Sequence, residues 1–338
     1  MASERAGIVR IIALEEHFAT PGTFEGPGRE FVDHLASSTS QTFPASPSQL
    51  VERLYDLSDG RIAAMDAAGV DVQVLSLTSP GLEQLRAPDA IAAAREVNDQ
   101  LARAIQRHPE RFAGFAALPT ADPVAAADEL QRAVREYRFV GAIINGHCQG
   151  RRLDDEFFWP ILQRAEELGA PLYLHPTPPP ASVFEPLYAG NYPASVAFLL
   201  STAAWGWHIE TATHLLRLIL SGAFDRFPRL QVIIGHMGEA LPAMLPRLDV
   251  VLTAAATNLN YPMSHYLRHN VYYTFAGFNW TPQFLALLLQ VGVDRIMFAT
   301  DYPYSPMPEA TAFLAGIPVS PQDRAQIAHG NAEQLLGL

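Results

Sequence analysis

Ala13-Leu14-Glu15-Glu16-His17 closes an apolar run that begins at Ile8. Ile8 to Leu14 reads as a buried strand, and the pentapeptide sets a carboxylate and an imidazole two residues apart where that strand ends. In an extended chain residues i and i+2 point the same way, so Glu15 and His17 converge on one point while Glu16 faces the opposite side and only packs. Two such ligands on one face suit a divalent metal. A polar turn after a strand produces the same spacing, so the metal reading needs further ligands from elsewhere in the chain.

Working outward, residues 18–47 are rich in Gly, Pro and Ser without a sustained period and read as a long loop over the strand's C-terminal end, the kind that serves as a lid. The spacing of Leu50, Leu54, Leu57, Ile62 and Met65 predicts one helix or two short ones, stopped at Gly69. Short apolar strands follow at 70–77, 112–118, 140–144, 171–174, 230–234, 271–275 and 295–299. Helical stretches at 89–108, 123–136, 154–168, 195–202, 209–220, 241–256 and 282–290 alternate with them. Residues 177–192 are proline-rich and read as an irregular insertion over the same end of the sheet. Eight strands separated by helices, without internal repeat or composition break, predict an α/β fold: one closed (β/α)8 TIM barrel over residues 1–338, with inserted loops and helices over its C-terminal rim. Residues that follow the strands share that rim, where active sites of such barrels are built.

Glu15, His17, His175 and Asp301 all fall at strand ends, on strands one, five and eight. Two imidazoles and two carboxylates suit zinc or manganese and leave positions open for substrate or water. Taken singly, His175 and Asp301 also suit an ordinary loop start. His236, within Gly235-His236-Met237-Gly238-Glu239, reads as an acid/base or orienting residue beside the metal, with Glu239 as its partner. The other reading of that segment is a helix N-terminus where Glu239 favours the dipole. Arg247 lies eight residues after Glu239, about two helical turns on, and would reach the rim to hold a carboxylate or else stay on the surface. Trp205, Trp207 and His208 either line an aromatic pocket or serve packing or a subunit contact. His214 and Arg217, three apart on an amphipathic helix, read as structural.

Composition narrows the chemistry. A net charge of -12, with 23 dispersed basic residues and no basic patch, is unfavourable for a nucleic-acid partner, and none is expected. No apolar run is long enough for a membrane span and no signal-peptide core is present, which predicts a cytoplasmic protein without a membrane partner. Cys148 stands alone, so there is no internal disulfide and no multi-cysteine metal site. Every basic residue is arginine. A side-chain Schiff base, a pyridoxal phosphate anchor, a P-loop and a carbamylated lysine between two metals are all excluded, which favours a mononuclear reading of any metal site.

Ala13–His17, Phe115-Ala-Ala-Leu-Pro119, Tyr173-Leu-His-Pro176, Gly235–Glu239 and Arg295-Ile-Met-Phe-Ala-Thr-Asp-Tyr-Pro303 together resemble the metal-dependent decarboxylases of the amidohydrolase superfamily. More narrowly, they are similar to the γ-resorcylate and 2,3-dihydroxybenzoate decarboxylases, from about Ile11 to Leu336. The resemblance implies Glu15, His17, His175 and Asp301 as ligands of one divalent ion per subunit, Zn2+ or Mn2+. It implies His236 and Glu239 as a catalytic pair, and Arg247 as a substrate-side arginine; Trp205 is the candidate for an aromatic contact. The implied reaction is reversible, non-oxidative decarboxylation of an ortho-hydroxybenzoate, with Asp301 as general acid, in a homodimer or homotetramer. The Glu-x-His form matters, because aminocarboxymuconate-semialdehyde decarboxylases and many hydrolases of the superfamily carry His-x-His there. The chain departs from the hydroxybenzoate group at 177–207 and at Asn145-Gly-His-Cys148. Two rivals stand beside this reading: a metal-dependent hydrolase of a lactone or amide, and a barrel that only serves assembly.

Overall fold

The computed structural model describes residues 9–26, 28, 29 and 46–338. Eight parallel strands run in chain order around a barrel: β1 Ile12–Phe18, β2 Val72–Leu77, β3 Phe112–Ala117, β4 Gly141–Asn145, β5 Leu172–His175, β6 Val232–Ile234, β7 Val271–Thr274 and β8 Ile296–Met297. The last strand returns to the first through a Leu14–Ala299 bridge and a 3.0 Å hydrogen bond from Leu14 N–H to the Phe298 carbonyl. Helices fill the connections, so the (β/α)8 barrel expected from the sequence is the fold. Among the described residues no helix is long and apolar enough to cross a membrane. Ile8 and most of the proposed lid loop (residues 30–45) lie outside the described residues.

Alternation along the strands divides the core in two. Ile12, Leu14, Val72, Val74, Phe115, Tyr173, Ile233 and Met297 pack inside the barrel. Ala13, Leu75, Leu77, Leu172, Leu174, Val232, Ile234 and Phe298 pack between strands and helices. By this parity His175, two residues beyond Tyr173, points inward, and Asp301, two beyond Ala299, does the same.

Strand β1 differs from the expectation in position and regularity. It starts at Ile12 rather than Ile8 and runs through Phe18, so Glu15 and His17 lie within the strand rather than after it. Strict alternation from the inward Leu14 would turn Glu15 and His17 outward. Instead the register moves three residues on β1, Ala13 to Glu16, against two on β2, Gln73 to Leu75. Glu15 is the extra residue, with φ of 62°, and the bulge flips the parity so that Glu15 and His17 both face the barrel axis. Glu16 faces the other side, as the period requires, but it is no mere packing residue: it accepts three hydrogen bonds.

Several connections depart from the reading, and the helix expected over 241–256 stops at Val251, with a separate short helix at Ala254–Thr257. The helix predicted over 154–168 begins as a short 3-10 turn, Glu156–Phe158, before Trp159–Leu168. The proline-rich insertion is not irregular throughout, since Ala181–Tyr188 forms a helix with Pro186 inside it. Two turns tolerate the one backbone bond that Pro186 cannot donate, and Pro180 supplies a rigid entry at the N-cap.

Candidate active site

Four strand ends meet at the C-terminal mouth. Ligand-capable atoms of Glu15, His17 and His175 all lie within 4.8 Å of one another. Asp301 Oδ1 is 3.3 Å from His17 Nε2, and His175 Nε2 is 3.5 Å from Glu15 Oε1. Gly235, at the end of β6, leaves room for this cluster, because a Cβ there would sit 2.4 Å from Glu15 Oε2. Asp301, like Glu15, has a positive φ, 63°. A non-glycine backbone holds that conformation only where its surroundings over-determine it.

The hydrogen bonds around these groups orient them toward a common point. Glu15 Oε2 accepts from the Tyr173 hydroxyl and, at 3.2 Å, from Thr274 Oγ1. Asn145 Oδ1 lies 2.9 Å from His175 Nδ1; an amide oxygen only accepts, so that nitrogen carries the proton and Nε2 keeps its lone pair. Glu15 Oε1 and His17 Nε2 are buried with no hydrogen-bond partner. Buried polar atoms are almost always partnered, and two orphans facing one cluster fit a cation. Burial holds the His17 imidazole down at about 3 and His175 well below its usual range, so both stand neutral as ligands must. Burial also pushes the Glu15 and Asp301 carboxyls up.

Beside the cluster lies a second group of residues. The chain leaves β6 in a left-handed turn: His236, Met237, Gly238, Glu239 and Ala240 have φ of 51°, 55°, 86°, 54° and 65°. The segment is therefore not a helix N-terminus, and its strained backbone folds Glu239 back under His236. Glu239 Oε1 is 2.8 Å from His236 Nδ1, and its Oε2 is 2.6 Å from His208 Nδ1. His236 Nε2 is turned into the site, 3.8 Å from Glu15 Oε1. Burial pulls His236 down, but the Glu239 and Glu15 carboxylates outweigh it and raise it to about 10. Burial would raise Glu239, yet His236 and His208 bring it down to about 2.

A cavity of about 320 Å3 opens over both groups. His175, His236 and Asp301 line it together with Thr78, Ser79 and His208, and Trp207, Phe278, Trp280 and Tyr304 supply its aromatic wall. The Phe278 ring meets His208 edge-on at 4.9 Å and Trp280 at 5.0 Å.

Of the residues singled out in the sequence, Glu15, His17, His175, Asp301, His236 and Glu239 are brought together. Arg247 and Trp205 are not. Arg247 is exposed on the helix Leu241–Val251 and does not line the cavity. The eight-residue spacing from Glu239 carries no helical phase, because the helix starts at Leu241, after the left-handed turn. Trp205 precedes the helix Gly206–Leu220 and is 52% exposed, whereas Trp207, within the helix's first turn, reaches the cavity. His214 is buried and accepts from Leu153 N–H at 3.0 Å, a structural role. Tyr173, Asn145, Phe278, Trp280 and the Glu239 partnership of His208 were missed. The first two follow strand parity: Tyr173 sits two residues before His175 on β5, and Asn145 ends β4 on the same rim.

A barrel whose strand ends gather two imidazoles and two carboxylates, a set that could hold a metal, beneath an aromatic-walled cavity has the architecture of the metal-dependent barrel enzymes. Among these, this chain belongs to the amidohydrolase family, whose pattern matches residues 31–338. It is 37% identical over 338 residues to a γ-resorcylate decarboxylase of Polaromonas sp. strain JS666, covering 97% of this chain and 98% of that one. Among solved structures, it is similar to a dihydroxybenzoic acid decarboxylase from Polaromonas sp. JS666 with bound manganese and the inhibitor 2-nitroresorcinol, at a TM-score of 0.88 and 36% identity over 97% of both chains. It is also similar to a 5-carboxyvanillate decarboxylase from Novosphingobium aromaticivorans complexed with manganese and 4-hydroxy-3-methoxy-5-nitrobenzoic acid. That match has a TM-score of 0.89 and 37% identity, covering 97% of this chain and 96% of that one.

Proposed function

We propose that this chain is a metal-dependent, non-oxidative and reversible decarboxylase of ortho-hydroxybenzoates, with one divalent ion per subunit, manganese or zinc. The observation that carries the reading is the pair of orphaned ligand atoms, Glu15 Oε1 and His17 Nε2, gathered with His175 and Asp301 beneath an aromatic-walled cavity. The decarboxylases to which the chain is similar support the substrate class, and the manganese in two of their structures supports the metal.

Glu15, His17, His175 and Asp301 would hold the ion, which when bound supplies a Lewis acid for the substrate's carboxylate and adjacent hydroxyl oxygens. Trp207, Phe278 and Trp280 take the ring and keep water from it. Asp301, its carboxyl raised by burial, carries a proton and delivers it to the carboxyl-bearing ring carbon. The new C–H bond interrupts aromaticity. The C–C bond to the carboxylate then breaks, its electron pair returns to the ring, and carbon dioxide leaves; one proton is taken up per turnover and Asp301 regains it from solvent. His236, fixed through Nδ1 by Glu239, presents Nε2 to the phenol oxygen and orients it.

Met244, Val250 and Val251 on the helix Leu241–Val251, and Leu285 and Leu289 on Thr281–Val291, are exposed apolar residues on neighbouring helices, which supports a homodimer or homotetramer. Arg247, exposed on the first of these helices, keeps a substrate role only across such an interface. Light scattering should find a dimer or tetramer, and a monomer would rule out both the assembly and an Arg247 contact to substrate.

The activity is tested by assaying carbon dioxide release from manganese-loaded protein with a panel of 2-hydroxybenzoates, with 3-hydroxybenzoate and a lactone as controls. Release confined to the ortho-hydroxy acids is expected. Lactone hydrolysis without carbon dioxide release from any of them would replace the reading with the hydrolase.

A further inference from the structure

The ligand cluster is backed, on the outer side of β1 and β8, by a buried polar network that the proposed chemistry does not use. Glu16, Arg61, Gln73 and Thr300 are all fully buried. Glu16 Oε1 accepts the Thr300 backbone N–H at 2.8 Å, and Oε2 accepts Thr300 Oγ1 at 2.6 Å and Gln73 Nε2 at 3.0 Å. The Gln73 carbonyl oxygen in turn accepts Arg61 Nη1 at 3.3 Å. Arg61 Nη2 donates to the His17 carbonyl at 2.6 Å and to the Arg53 carbonyl at 3.0 Å, and Nε donates to the Asp56 carbonyl at 2.7 Å.

What these bonds grip is more telling than their number. Glu16 sits between Glu15 and His17, and Thr300 precedes Asp301. The network therefore ties the bulged segment carrying two ligands to the strand end carrying a third, and it holds the His17 carbonyl from behind. Both residues with strained backbone in the cluster, Glu15 and Asp301, with φ of 62° and 63°, are chain neighbours of Glu16 or of the Thr300 it grips. Strained conformations of this kind persist only where the surroundings over-determine them. An apolar filling of equal volume would pack the same space, but it would supply no directional bonds to Thr300 N–H or the His17 carbonyl.

We propose that Glu16, with Arg61, Gln73 and Thr300, is a positioning residue that sets the spacing between the β1 ligands and Asp301, and so tunes metal affinity and the aim of the acid. The inference rests on the metal-site reading above. In Glu16→Gln the side-chain shape is kept, but one carboxyl oxygen becomes an NH2 group facing donors, so the grip on Thr300 or Gln73 is lost.

Manganese titrations of metal-stripped protein, followed by calorimetry and by the electron paramagnetic resonance spectrum of the bound ion, test it. Glu16→Gln should bind manganese about 10- to 100-fold more weakly, with a changed spectrum of the bound ion. Thr300→Val, which removes only the hydroxyl bond, should shift both in the same direction by less. Leu130→Ala, a cavity in the outer core remote from the site, should lower the melting temperature and leave affinity and spectrum as in the wild type. Wild-type affinity in both Glu16→Gln and Thr300→Val would overturn the inference, as would an equal loss in Leu130→Ala. Should Glu16→Gln not fold, Thr300→Val alone decides between the two outcomes. Failure of the wild type to bind manganese or zinc would instead overturn the metal reading itself.

Discussion

Glu239→Gln separates the proton-handling pair from the metal cluster. The Glu239 carboxylate is buried and serves two imidazoles, His236 Nδ1 at 2.8 Å on one oxygen and His208 Nδ1 at 2.6 Å on the other. Glutamine offers one acceptor oxygen and turns an NH2 group toward the second imidazole. One of the two rings must then lose its bond or change tautomer. A hydrogen bond to a charged group contributes roughly 1.5–3 kcal/mol, and at about 1.4 kcal/mol per decade this is on the order of 10- to 160-fold in rate if the loss falls on His236. Glu239 makes no hydrogen bond to Glu15, His17, His175 or Asp301, so manganese binding should stay near the wild-type level. The assay is carbon dioxide release at saturating manganese, with metal content measured on the same preparation. A kcat drop of about that size with full metal occupancy is expected. An unchanged kcat would refute a role for the pair in the chemistry, and a parallel loss of metal would show that it acts through the cluster instead.

Other substitutions and conditions probe the remaining parts of the site. Tyr173→Phe removes the hydroxyl that donates to Glu15 Oε2 and should weaken manganese binding by about 10- to 100-fold in a calorimetric titration; an unchanged affinity would show that Thr274 alone orients the carboxylate. Glu15→Ala deletes a ligand whose Oε1 is otherwise orphaned, so both metal and activity should disappear, and retained stoichiometric metal would remove Glu15 from the ligand set. Burial raises the Glu15 carboxyl, so metal-free protein holds a proton there that binding must displace. Manganese affinity should therefore fall as pH drops below its raised value, about tenfold per unit for the proton displaced, and level off above it. A pH-independent affinity, from titrations between about pH 5.5 and about 9, would mean that Glu15 is already ionised.

Much of this was legible in the chain because the barrel repeats one rule eight times. Apolar strands alternate inward and outward, and His175 and Asp301 stand where a strand reaches the rim, so they were found by position. What escaped the sequence was backbone geometry that no residue type announces. The bulge at Glu15 has no glycine to mark it, yet without it Glu15 and His17 would face the helices. The left-handed turn at His236–Ala240 contains a single glycine, and by breaking helical phase it undid the spacing argument for Arg247. Glu16 was read as packing because strand parity reports the side a residue faces and not what waits for it there. The contacts of His208 and Phe278 are long-range, and no local pattern encodes them.

The most direct test of the account is a titration of metal-stripped protein with manganese while carbon dioxide release from a 2,6-dihydroxybenzoate solution is followed. No release is expected before metal is added, and a linear rise should follow that breaks at one equivalent per subunit. Release by the stripped protein, or no release at any manganese or zinc level from any ortho-hydroxybenzoate, would contradict a metal-dependent decarboxylase.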